Sequence, residues 1–74
     1  MKSTFSIEGY LAVIPHIQNV YPPEKEKTGW TFGFKYTSGV FEFFTFKTLG
    51  KARKEYNRLA QAIDEYWNKE NGLI

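Results

Sequence analysis

Five cations fall within residues 47–58, namely Lys47, Lys51, Arg53, Lys54 and Arg58, against the single acid Glu55. Basic groups at this density could hold phosphate or dock an acidic protein surface. Residues 1–46 balance, with Lys2, Lys25, Lys27 and Lys35 against Glu8, Glu24, Glu26 and Glu42. The formal net charge of +2 therefore comes from this one stretch, partly cancelled by Asp64, Glu65 and Glu70. An ordinary solvated helix face is the plainer alternative, with Arg58 near enough to Glu55 for local pairing. Lys51, Arg53, Lys54 and Arg58 sit in the first half of a predicted helix, where the macrodipole disfavours positive charge.

Other residue types offer little chemistry. His16 is the only histidine and cysteine is absent, so neither disulfides nor thiolate metal sites arise. His16 has no ligand partner at metal-binding spacing. Asp64 and Glu65 are adjacent and diverge on a helix, so they form no carboxylate dyad. No nucleophile–base pair and no Gly-rich phosphate loop is present. The expectation is a non-enzyme without metal, cofactor or small-molecule substrate.

The elements that position these groups are legible from periodicity. From Trp30 to Phe46 aromatic residues recur at alternate positions around Ser38-Gly39, which predicts a β-hairpin. With a two- or four-residue loop, Lys35 faces Glu42 and Phe34 faces Phe43. Trp30, Phe32, Phe34, Tyr36, Phe41 and Phe43 then share the core face. A three-residue loop would flip one strand and set Glu42 among the aromatics. The Lys35–Glu42 pair favours the first register. Its opposite face carries Lys35, Phe44 and Phe46, a candidate contact surface. Aromatics on both faces are more than one helix covers, so the surplus face calls for another strand, another chain or a ligand.

Upstream, residues 4–14 read as one strand with Phe5, Ile7, Leu11 and Val13 on one face, and Gly9 as a bulge. Pro15 interrupts it; residues 16–21 form a short edge strand or continue the first after a bulge. Residues 22–28 begin with Pro22-Pro23 and read as a mobile charged connector. Downstream, Leu49, Ala52, Tyr56, Leu59, Ala60, Ile63, Tyr66 and Trp67 follow a 3.6-residue period, predicting a helix over 49–70. Thr48 is the N-cap, and Asn71-Gly72 supplies the stop. The fold class is α+β: a small antiparallel meander of three or four strands, strands near 4–14, 29–37 and 40–47, with one C-terminal helix across one face.

The run Gly29-Trp30-Thr31-Phe32-Gly33-Phe34, followed by Phe46-Lys47-Thr48-Leu49-Gly50-Lys51-Ala52-Arg53-Lys54-Glu55-Tyr56, resembles the arm-binding domain at the N-terminus of tyrosine recombinases. That family shows a Trp-led strand, a second strand and a Phe-Lys-Thr-x-x-x-Ala-x-x-aromatic start to the helix. The resemblance covers about half the chain and is one of architecture. It implies a three-stranded sheet backed by a helix, with DNA on the open face of the sheet. The chain departs from that pattern where the open face would carry several Arg and Lys, because Lys35 is its one cation there.

The longest apolar run near the N-terminus, Tyr10 to Ile14, is too short for a signal or membrane-spanning segment, so the default location is the cytoplasm. The expected function is a single-domain interaction module of 74 residues. Its partner is a protein or a second copy, as for an accessory or inhibitor protein of a phage or mobile element. The alternative is a nucleic-acid module using Lys47, Lys51, Arg53, Lys54 and Arg58.

Overall fold

A computed structural model describes residues 3–70 of the chain. It contains β1 (Thr4–Ile7), β2 (Tyr10–Val13), a 3₁₀ turn (Ile14–His16), β3 (Ile17–Glu26), β4 (Gly29–Tyr36), β5 (Phe41–Phe46) and α1 (Leu49–Glu70). β3, β4 and β5 form an antiparallel meander, and β1 and β2 form a separate two-stranded ribbon. The α+β class with one C-terminal helix follows from the two hydrophobic periods.

The predicted strand over 4–14 is a hairpin. Glu8 and Gly9 both take positive φ, 48° and 80°, the geometry of a primed two-residue turn that suits the twist of the flanking strands. Reversal at this turn changes the parity. Ile7 pairs with Tyr10 and Phe5 with Ala12, so these four face inward while Leu11 and Val13 lie exposed.

Residues 22–28 are not a connector. β3 runs on through Pro22 and Pro23 to Glu26, and Lys27-Thr28 turn the chain into β4 at the Glu26–Gly29 pair. The prolines are tolerated because β3 is an edge strand and its register shifts between Tyr21 and Glu24. A missing N–H costs no ladder bond there.

The second hairpin takes the three-residue loop. Tyr36 N–H donates to Val40 O at 2.8 Å and Gly39 N–H to Tyr36 O at 2.9 Å. Gly39 has φ +95°, a left-handed position that glycine fills without a Cβ penalty. The pairs are Lys35–Phe41, Phe34–Glu42, Gly33–Phe43 and Phe32–Phe44. Lys35 and Glu42 therefore stand on opposite faces and form no pair. Phe44 and Phe46 point into the core, and Phe41 and Phe43 point out of it.

The inner face holds Phe32, Phe34 and Phe46, with Phe44 at its margin. Phe32 stacks on Phe46 at 5.7 Å and meets Tyr56 of α1 edge-on at 5.9 Å. α1 covers this face with Ala52, Leu59, Tyr56 and Ile63, while Ala60 and Trp67 face solvent. The β1–β2 ribbon covers the same side of the sheet: Tyr10 lies 6.4 Å from Phe34 and 5.8 Å from Phe44. Thr48 caps α1, its Oγ1 accepting from Lys51 N–H at 3.2 Å. The Asn71-Gly72 stop lies outside the described residues.

A hydroxyl pair ties the ribbon to the sheet. The Tyr10 and Tyr36 hydroxyls lie 2.9 Å apart, and Val13 N–H donates to the Tyr36 oxygen at 3.4 Å. The hydrogen bond to Tyr36, then partial burial, then the charges of Tyr36 and Glu42 push the Tyr10 pKa up to about 12.

Two outcomes follow from this packing. Phe34→Ala should destabilise by about 3–5 kcal/mol, whereas Phe41→Ala should cost roughly 1 kcal/mol or less. Urea unfolding of both variants checks this, and a loss at Phe41 comparable to that at Phe34 would mean that Phe41 lies inside. The second concerns alkali. The fold favours neutral Tyr10, so its contribution is complete below the ordinary pKa of 10.0 and is lost as pH rises towards about 12. The thermal advantage of the native chain over Tyr10→Phe should shrink across that window; a constant gap would contradict the clamp.

Candidate functional site: the open face of the sheet

With α1 and the ribbon both on one side, no described element covers the other face of β3–β4–β5. Its residues fall in three rows across the strands. Asn19, Lys35 and Phe41 form the first; Tyr21, Gly33 and Phe43 the second; Glu24, Thr31 and Thr45 the third. Phe41 is 50% exposed and Phe43 56% exposed.

These side chains are organised rather than loose. Phe41 and Phe43 stack nearly parallel at 6.0 Å, and Tyr21 stands 6.2 Å and 6.4 Å from them. The middle row works because Gly33 carries no side chain. A Cβ there would overlap the Glu42 carbonyl and the Phe43 ring, so the ring lies across bare backbone and buries it. Lys35 Nζ sits 5.6 Å from the Phe41 ring centre, within cation–π range. At the far end the Thr31 and Thr45 hydroxyls are 2.8 Å apart.

Tyr21, Pro22, Phe41 and Phe43 line a groove of about 560 Å³ whose rim carries Glu24 and Glu26. Its floor is apolar and one end is acidic; Lys35 lies on the same face, beside Phe41. Of the contact face expected from the sequence, Lys35 alone is here; Phe44 and Phe46 belong to the core. Tyr21, Phe41 and Phe43 are the residues that sequence reasoning missed. The signal was the position of Gly39, third in a Thr-Ser-Gly loop, which marks the turn that ends in a left-handed residue.

The five cations of residues 47–58 do not form one surface. Lys47, Lys51 and Lys54 line a recess of about 520 Å³ together with Glu8 and Glu55. Arg53 lies elsewhere, beside Pro22, Pro23 and Tyr56. Arg58 is engaged, 2.6 Å from Glu55 and stacked over Phe5 at 5.0 Å. Three cations sharing a recess with two carboxylates leave a weak net field.

His16 lines a smaller hollow of about 300 Å³ with Tyr10, Leu11, Val13 and Tyr36. Among the described residues no three His, Cys, Asp or Glu side chains converge at metal-binding distance. No described helix is long and apolar enough to cross a membrane. Compared with known proteins, the chain matches no family model, no curated sequence and no solved structure.

Proposed function

We propose that this chain is a small non-enzymatic interaction module, of the accessory or inhibitor kind, that docks a protein partner on the open sheet face. One observation carries the reading: the groove between Tyr21, Phe41 and Phe43, apolar on its floor and acidic at one end. That pattern fits a partner segment presenting an aliphatic or aromatic anchor beside Lys or Arg. The anchor would displace water from the stacked rings, and the basic group would meet Glu24 and Glu26. Aromatic side chains at the centre of a contact are those that dominate binding energy. The same carboxylates repel nucleic acid from this face, in contrast to the open-face DNA contact that the recombinase resemblance implies. A nucleic-acid reading rests instead on Lys47, Lys51 and Lys54, which offer three phosphate contacts.

Selection of a displayed random-peptide library against the immobilised protein tests the proposal. Enriched peptides should combine an apolar anchor with a neighbouring Lys or Arg. Phe43→Ser should weaken them about 30-fold or more, the loss typical of a hot spot, with circular dichroism unchanged. Failure to enrich, or equal binding to Phe43→Ser, would overturn the reading. Retention on generic duplex DNA at ~20 mM salt would assign function to the lysine recess. The log–log salt slope would then be about −2.7 for three contacts, abolished by replacing Lys47, Lys51 and Lys54 with Gln.

A further inference from the structure

The two edges of the three-stranded sheet are treated differently by the sequence. β3 carries Pro22 and Pro23, two register shifts and the charged run Glu24-Lys25-Glu26, each a known device against edge pairing. β5 carries none of them. Its six residues, Phe41-Glu42-Phe43-Phe44-Thr45-Phe46, hold one charge and no proline. They pair with β4 in unbroken register. Among the described residues no strand pairs with its other side.

The free main-chain groups can be named. Tyr36 N–H bonds Val40 O, and narrow and wide pairs alternate along an antiparallel ladder. Glu42, Phe44 and Phe46 therefore turn their N–H and C=O groups to β4, and Phe41, Phe43 and Thr45 turn theirs to the open edge. A strand edge of this kind is complementary to itself under a two-fold rotation.

We propose that two copies of this chain pair antiparallel through the free edges of β5, across a two-fold at Phe44, into a six-stranded sheet. Opposed residues must share a face, so only registers in which the paired numbers sum to an even value are allowed. Pairing Phe44 with Phe44 of the second copy sets Phe43 opposite Thr45 and Glu42 opposite Phe46. Shifting the register by two in one direction would place Glu42 directly against Glu42 of the second copy after one further step, and already brings the two carboxylates to diagonal contact. The Phe44 register keeps them apart. It also lays the half-buried Phe44 rings of the two copies side by side, extending both cores. The guarded β3 edges stop growth at two. This pairing is carried by the strand edge and stands independently of what docks on the open face.

Sedimentation equilibrium and nuclear Overhauser spectra of the full chain test it. The native protein should dimerise with a dissociation constant on the order of 100 μM, the weak end expected of an interface below ~1,200 Å². Nothing larger should form. Glu42 Hα and Phe46 Hα lie about 13 Å apart within one strand, so an Overhauser contact between them reports the pairing of two copies. Thr45→Pro removes an edge donor that the internal ladder does not use and should abolish both the dimer and this contact. If that variant fails to fold, the contact in the native chain decides alone. A native chain that stays monomeric at millimolar concentration overturns the proposal. So does a dimer without the Glu42–Phe46 contact, or open-ended fibres.

Discussion

Gly39 holds φ at +95°, and the placement of every side chain on β5 depends on that dihedral. A loop of Thr37, Ser38 and Gly39 closes on Tyr36 and Val40; a loop one residue shorter or longer would turn the whole strand over. The hydrophobic pattern alone does not choose between these outcomes. β5 offers Phe41 and Phe43 on one side and Phe44 and Phe46 on the other, two aromatic residues each way. Burying either pair removes similar apolar area from water. The loop therefore tips a nearly balanced strand, and the short Lys47-Thr48 link then delivers α1 to the side where Phe46 stacks on Phe32.

Once the strand is set, the layers follow. α1 is capped by Thr48 and has only one apolar stripe, so it covers part of the inner face. The β1–β2 ribbon covers the rest, pinned by the Tyr10–Tyr36 hydroxyl contact. Both covers are on the same side, which leaves the outer rows of the sheet in water. The chain limits the cost by having those rings cover one another. Tyr21, Phe41 and Phe43 stack, and Phe43 lies across Gly33. An uncovered face of this kind, apolar yet ordered, is the feature from which binding is argued.

Much of this was legible in the residues. The change of period at Thr48 located α1 and its cap, and the alternation around Ser38-Gly39 located the β4–β5 hairpin. What escaped had specific causes. Glu8-Gly9 sits between two four-residue runs, and a turn there looks like a bulge in one longer strand; reversal at Gly9 is what sends Leu11 and Val13 outward. Pro22-Pro23 reads as a break, but on an edge strand whose register shifts between Tyr21 and Glu24 neither missing N–H costs a ladder bond. For β5 the Lys35–Glu42 charge pair points to one assignment of faces and the loop length to the other. A surface ion pair contributes little, and a backbone dihedral that only glycine meets easily contributes more. For the basic cluster, the sequence groups Lys47, Lys51, Arg53, Lys54 and Arg58 as one patch and anticipates the Arg58–Glu55 pair. The 3.6-residue period turns Arg53 about 200° from Lys51, so closeness along the chain is no guide to a shared surface.

The register of β5 is thus the claim on which the core, the open face and the free edge all rest. Hα–Hα Overhauser contacts between β4 and β5 measure it directly, because wide antiparallel pairs bring these protons close. The account requires contacts for Lys35–Phe41, Gly33–Phe43 and Thr31–Thr45. A contact between Phe34 and Phe43 in their place would mean that the strand is turned over, with Phe41 and Phe43 inside, and would contradict the account.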